Sequence, residues 1–454
     1  MPRIQAFYGL LVATLMGVCL LVAACVSQRA LRLVIGVLIV MSLIVCAAIA
    51  IRGFFRWLSK RDLFAPWIGF PIAYIIWFGF ACLFIQFGEG SEEPPYAVAI
   101  LGLVCYLMGV GVARLRWNSA THVPTGAFRS EWDMSLCGKV TMLVAAIAFA
   151  AYVLIAIQLG IPGLHAGAGE IRLNLINYGK SQSVFVYGTQ LVIILLACKL
   201  WSEEGDKKSR WGIWLAIAVA SLLLLTLGSR GNLLTPISAI FIARHYLRQK
   251  TPLLPALSIA AAVFVVASLV GWARDMAIYS SYKGEDLQFN IASLIFLYQY
   301  ITTTVTTLSQ IMAEIPRHVP FQHGVLSFGA LASVLPGHHE SSDMFFRRIL
   351  GSEFVGAGQP ATLLGPMYGD FGYAGVVVQM FGLGVFYVWI YRWMLEGATV
   401  YRAFMYAWIS QVILYSLFGS LLTYIGALLI PIAWVSINST LRVRPTAFQP
   451  GAAS

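Results

Sequence analysis

The chain has 454 residues, of which 59% are hydrophobic and 11% charged, and its formal net charge is +11 at pH 7. Soluble domains carry about 25% charged residues, so a water-soluble core is excluded as the source of this composition. Uncharged or nearly uncharged runs at 8–26, 31–51, 138–158 and 253–270 are each long enough to cross about 30 Å of hydrocarbon as helix. Backbone in lipid must pair with itself, so such runs predict helices and not strands. The expected fold class is all-α: a polytopic membrane bundle of about 12 transmembrane helices, forming a single integral membrane domain over 1–454.

Near the start, Val22-Ala23-Ala24-Cys25 follows Arg3 and an apolar run. This resembles a lipoprotein signal cleaved before Cys25; the alternative is an ordinary first span. The seven cysteines, Cys19, Cys25, Cys46, Cys82, Cys105, Cys137 and Cys198, lie in or beside apolar spans without metal-ligand spacing. They read as small core residues.

Basic loops orient the spans, because Lys and Arg are retained on the cytoplasmic side. They hold Arg52, Arg56, Lys60 and Arg61; Arg114, Arg116, Arg129 and Lys139; Lys199, Lys207, Lys208 and Arg210; and Arg244, Arg248 and Lys250. The connections between them, at 88–95, 159–183, 228–232 and after 272, then face the periplasm. Arg392 and Arg402 bracket a later loop, and Arg442 and Arg444 follow the last apolar run, so both sites are expected inside and the span at 373–391 runs inward.

An even number of crossings must then separate 253–270 from 373–391, which excludes 291–312 as a span. Its pattern agrees: Leu294, Leu297, Ile301, Val305, Leu308 and Met312 form one apolar stripe, while Gln299, Thr302, Thr303, Thr306 and Gln310 are polar. This suits an amphipathic helix at the interface or lining a cavity. Residues 272–372 are thus expected to form one long periplasmic segment, with both termini cytoplasmic in the bacterial inner membrane. On this topology most of the 30 Lys and Arg lie inside and most of the 19 Asp and Glu outside. Orientation accounts for the net charge, and no nucleic acid is expected as a partner.

In the loop that follows Gly160-Ile161-Pro162-Gly163, Arg172 sits in a partly apolar stretch that can fold back on the bundle. Gly228-Ser229-Arg230-Gly231-Asn232 joins two apolar helices. Its glycines permit a tight turn, and the next helix N-terminus offers free amides and a positive dipole end. With the guanidinium of Arg230 this makes a phosphate site at the membrane surface; the alternative is an arginine snorkelling to lipid headgroups. Arg274 follows Trp272 and precedes Asp275; it is a further candidate cation on the outer face, with a simple surface ion pair as the alternative. His318, His323, His338, His339, Glu340, Asp343, Glu353 and Asp370 lie on the expected outer face. None has the spacing of a metal site. His338 and His339 are candidates for a general base, with plain solvation as the alternative.

Several of these pieces carry a family resemblance. They are Gly160-Ile161-Pro162 followed by Arg172, Gly228-Ser229-Arg230-Gly231, Leu335-Pro336-Gly337, and the stretch from Pro360 to Gly375. That stretch reads Thr-x-x-Gly-x-x-Tyr-x-x-Phe-Gly-x-x-Gly over Thr362, Gly365, Tyr368, Phe371, Gly372 and Gly375. The chain resembles the bacterial oligosaccharide repeat-unit polymerases, the Wzy-type O-antigen and exopolysaccharide polymerases, from about residue 150 to 395. Pro366 stands where such proteins often carry a glutamate.

The resemblance implies a GT-C-like architecture and a metal-independent inverting glycosyltransferase without a cofactor. Its partners would be undecaprenyl-pyrophosphate-linked oligosaccharide, membrane lipids and a chain-length regulator. It further implies that Arg172, Arg230 and Arg274 hold the pyrophosphate, that His338 or His339 takes the acceptor proton, and that Tyr368 and Asp370 shape the sugar site. Two alternatives are an O-antigen ligase, which shares the architecture, and a transporter. Nearly uncharged spans without internal repeats weigh against a transporter.

Overall fold

Apolar runs punctuated by Gly, Pro and basic residues fold into eleven helices among the residues that the computed structural model describes. These residues are 62–84, 95–117, 131–159, 179–202, 207–226, 230–248, 295–329, 341–351, 360–397, 399–419 and 426–442. In chain order the helices are α1 (Gly69–Phe84), α2 (Pro95–Arg116), α3 (Met134–Leu159), α4 (Gly179–Ser202), α5 (Lys207–Thr226) and α6 (Arg230–Leu247). They continue with α7 (Ile295–Glu314), α8 (Ser342–Ile349), α9 (Leu364–Gly397), α10 (Val400–Tyr415) and α11 (Gly426–Leu441).

Four helices, Pro95–Arg116, Met134–Gln158, Ser181–Trp201 and Leu364–Gly397, are long and apolar enough to cross a membrane. Gly69–Gly79, Arg210–Leu225 and Leu428–Leu441 are shorter apolar helices. No strand occurs among the described residues. The chain is a helical membrane protein, and its surface agrees: on α3, Met142 is 72% exposed and Ile157 75% exposed, a cost in water and none in hydrocarbon. The expected spans at 8–26, 31–51 and 253–270 lie outside the described residues, as does Cys25. Cys105, Cys137 and Cys198 are buried, as expected of small core residues.

Helix ends that carry Lys and Arg gather at one end of the bundle. Arg114, at the end of α2, lies 4.3 Å over the ring of Trp67 before α1. Trp201, at the end of α4, stacks on Phe404 near the start of α10 at 5.6 Å. Trp132, before α3, donates its indole N–H to Asn438 near the end of α11 at 2.8 Å, and Arg442 pairs with Glu131 at 3.2 Å. Arg402 donates to the Trp393 carbonyl at 2.8 Å. The alternation of directions read from the basic loops is therefore the alternation with which α1 to α6 and α9 to α11 pack.

The closest crossing joins α2 and α9. A Cβ at Gly109 would stand 2.1 Å from the Phe381 carbonyl oxygen, and one at Gly384 would stand 2.3 Å from the Tyr106 carbonyl oxygen. Only hydrogen at these two positions lets the backbones meet, as small residues do between membrane helices. Of the pair Gly382 and Gly384, expected to mark close helix contact, Gly384 makes that contact and Gly382 has open space.

α7 packs into this bundle. Val305, Leu308 and Met312 of its predicted stripe are buried, and so are Thr302, Thr304 and Thr307. The burial of threonine is made tolerable by local bonding: the Trp77 indole N–H reaches the Thr304 hydroxyl at 3.4 Å. Thr303 and Gln310 remain exposed, so part of the polar face expected for 291–312 turns inward.

Candidate functional site

The most specific sequence motif, Pro360 to Gly375, builds a helical hairpin. Thr362 begins it with φ +56°, and its hydroxyl accepts the Leu364 N–H at 3.2 Å. A first short part of α9, 364–370, then ends at a break where Phe371 has φ −143° and Gly372 has φ +62° with ψ −145°. Such a backbone is open to glycine and strained for any residue with a Cβ. The chain turns back there, so the Met367 carbonyl lies 2.2 Å from where a Gly375 Cβ would stand. Leu364 and Met380 come side by side over Gly102. Phe371, Gly372 and Gly375 of the motif are thus turn and contact residues of a re-entrant half-helix folded against the long second part of α9. Irregular backbone at membrane depth is stable only where protein shields it in this way.

Asp370 sits at the tip of the hairpin, fully buried. Its Oδ1 accepts the Leu326 N–H at 3.0 Å and its Oδ2 the Ser327 N–H at 2.7 Å. The Gly369 and Asp370 carbonyls, left without partners by the end of the half-helix, accept the Gln322 N–H at 3.0 Å and the His323 N–H at 3.2 Å. The segment after α7 is therefore strapped to the tip by backbone groups on one side and a carboxylate on the other. Tyr368 is also buried, with its ring edge-on to Tyr373 at 5.5 Å. Outside the strap, Phe371, Tyr373 and Phe328 are 43%, 41% and 55% exposed. The His323 ring lies 6.1 Å from that of Phe371. The tip so presents aromatic faces and one imidazole beside a rigid buried frame.

α8 completes the frame. Phe345 and Phe346 point inward, and Phe346 lies close enough to meet a Cβ at Gly365 or Gly369 at 3.4 and 3.6 Å. Arg348 covers the Phe345 ring from outside at 5.2 Å.

At the same end of the bundle, opposite Arg114 and Trp67, α6 begins at Arg230 itself. Gly228 and Ser229 of the predicted turn lie outside the described residues, and Arg230, Gly231 and Asn232 form the first turn of the helix. Pro236 lies inside this helix and has no N–H to give the carbonyl four residues earlier. That carbonyl belongs to Asn232, and the buried Gln190 of α4 takes the vacancy by donating its Nε2–H at 2.9 Å. Thr235 back-bonds to the Gly231 carbonyl at 2.7 Å. A side chain from a neighbouring helix therefore fixes the first turn of α6, where the free amides point out of the helix end.

Of the residues expected to form the site, Tyr368 and Asp370 share one turn of the tip and Arg230 heads α6 at that same end. Arg172, Arg274, His338 and His339 lie outside the described residues. His323 was one of several outer histidines in the sequence, and only the strap singles it out.

A second polar cluster lies at the basic end. Asp62, 15% exposed, accepts the Tyr246 hydroxyl at 2.9 Å, the Tyr391 hydroxyl at 2.7 Å and the Phe64 N–H at 3.0 Å, with His245 Nε2 at 3.3 Å. Burial pushes the Asp62 carboxyl up, but His245 and the hydroxyls of Tyr391 and Tyr246 outweigh it and hold the carboxyl below its ordinary value. One carboxylate so ties the start of α1 to the ends of α6 and α9. This residue went unselected because nothing local marks it: its partners are 184 and 329 residues away.

The model of one protein family, described as "Putative O-antigen polymerase", matches residues 62–424. That range holds both the strapped hairpin tip and the Arg230 turn. No curated protein and no solved structure matches the chain.

Proposed function

This chain belongs to the O-antigen polymerase family, and from that premise we propose that it joins undecaprenyl-pyrophosphate-linked oligosaccharide repeat units on the periplasmic face of the bacterial inner membrane. It is a membrane glycosyltransferase for polysaccharide biosynthesis, with O-antigen or exopolysaccharide as the polymer. The bundle is GT-C-like with about 12 crossings; the basic end, with both termini, is cytoplasmic, and the hairpin tip is periplasmic. A chain-length regulator is a further partner.

The observation that supports this reading is that the family's most specific motif forms a strapped helical hairpin at the end of the bundle away from the basic residues, the end at which α6 also begins, at Arg230. A hydroxyl of the acceptor repeat unit attacks the anomeric carbon of the growing glycan. The carbon–oxygen bond to the pyrophosphate breaks, and the configuration inverts. Negative charge that develops on the pyrophosphate is met by Arg230, Arg172 and Arg274 and by the amides that open α6, in a metal-independent transfer. His338 or His339 takes the acceptor proton. Tyr368 and Asp370 shape the sugar site, Asp370 by holding the strap in place rather than by touching the reacting atoms.

Incubation of the purified protein with purified lipid-linked repeat units tests this. Elongated glycan in the absence of an ion gradient is expected. Intact substrate throughout, under conditions that keep the protein folded, would contradict it.

A further inference from the structure

At the basic end, Arg210 of α5, Arg244 of α6 and Arg248 just after α6 converge on one hollow of about 340 Å³, with Leu200 and Trp201 of α4 and Trp214 of α5 completing its wall. Three guanidiniums around one space repel each other, and none of the three has an ion pair or hydrogen bond to a carboxylate among the described residues. Arg244 and Arg248 are exposed. The hollow lies at the perimeter of the bundle, where Trp214 is 49% exposed and its neighbour Trp211 77% exposed. Half-exposed indoles suit the level at which hydrocarbon gives way to headgroups. α5 and α6 have their other ends at the Arg230 turn, so this hollow is a helix length away from the candidate catalytic region.

We propose that this hollow binds the phosphate of an anionic membrane lipid. The chemistry fits each wall. Planar guanidinium forks match phosphate oxygens, the indoles and Leu200 offer apolar surface to the upper acyl chains, and basic pockets between helices on the side that retains Lys and Arg take acidic headgroups. A soluble phosphate shares the anionic half of this chemistry and not the apolar half. The connection 203–206, outside the described residues, contains Glu203, Glu204 and Asp206.

The test uses the full-length protein in a mild neutral detergent, with native mass spectrometry and thermal unfolding read after addition of phosphatidylglycerol, phosphatidylcholine or inorganic phosphate. Phosphatidylglycerol is expected to be retained and to raise the unfolding temperature of the wild type. Phosphatidylcholine should not, and retention should fall at least tenfold between 50 mM and 500 mM salt. The double variant Arg244→Gln/Arg248→Gln should lose retention tenfold or more, and Arg244→Lys/Arg248→Lys should recover part of it. Arg116→Gln, outside the hollow, should bind as the wild type does. Equal retention of both lipids, retention insensitive to salt, a response to inorganic phosphate alone, or no uptake by the wild type would each overturn the proposal. The salt series and the lipid comparison need only the wild type, so misfolding of a variant leaves them decisive. Polymerase activity is not read in this test.

Discussion

Asp370→Ala removes both acceptors that bind the strap. Leu326 and Ser327 N–H groups then lose a charged partner in a buried place. A hydrogen bond to a charged group is worth about 1.5–3 kcal/mol, so two that share one carboxylate hold the strap by about 3 kcal/mol or more. That corresponds to a local opening equilibrium raised on the order of a hundredfold. Asp370→Asn keeps one acceptor oxygen but turns an amide N–H toward one of the two backbone donors, at 3.0 and 2.7 Å in the wild type; about half of the loss is expected. Hydrogen exchange over 320–329 in detergent-solubilised protein reads this directly, and exchange should be fastest in Asp370→Ala, slower in Asp370→Asn and slowest in the wild type. Glycan length in complemented cells should shorten in the same order. The reasoning would be refuted by an Asp370→Asn protein whose strap is as protected as the wild type's and whose polymer is nonetheless gone, because the carboxylate would then act on substrate.

Asp62→Ala strands the Tyr246 and Tyr391 hydroxyls at the basic end and should cost about 1–3 kcal/mol for each, seen as a lower unfolding temperature in detergent. The sign with pH follows from the lowered carboxyl: its folded value lies below its unfolded value near 4. The contribution is thus complete above about pH 4 and is lost as pH falls through the folded value. A thermal-stability gap between wild type and Asp62→Asn that opened only above pH 6 would contradict this. Gly384→Ala forces a carbon to 2.3 Å from the Tyr106 carbonyl, whereas Gly382→Ala meets nothing within 4 Å. The first should lower folded yield and stability by about 1–3 kcal/mol or more, and the second should leave both unchanged in gel filtration and thermal melts. Gln190→Leu leaves the half-buried Asn232 carbonyl without its donor and should cost about 1 kcal/mol, with faster exchange at the start of α6.

The helical membrane class and the order of helix directions were legible because hydrophobic length and basic loops act residue by residue along the chain. The same holds for the opening of α6 at Arg230, which the glycines and the following apolar run mark locally. The motif from Thr362 to Gly375 was legible as a pattern and not as a shape. A Gly-x-x-Tyr-x-x-Phe-Gly order does not say that the chain doubles back at Phe371–Gly372, since the turn depends on Met367 meeting Gly375 and on the packing of Phe346 from α8. The work of Asp370 was hidden for the same reason: its donors come from Leu326 and Ser327, 44 and 43 residues earlier. Asp62 reads in the sequence as one more charge beside a basic loop. It becomes a tie only when α6 and α9 bring His245, Tyr246 and Tyr391 to it. Polar residues inside α7 misled in a milder way, because an amphipathic stripe does not specify how much of the opposite face the bundle covers.

The most direct measurement is gel analysis of surface glycan from a deletion strain complemented with wild-type protein or with Arg230→Ala, expression being matched by immunoblot. The wild type should restore a ladder of long chains, and both the deletion and Arg230→Ala should leave single repeat units attached to the acceptor. A normal ladder from Arg230→Ala would remove the pyrophosphate role assigned to that arginine. Long chains stranded on the lipid carrier in the deletion strain would contradict polymerisation itself and mark the protein as a ligase.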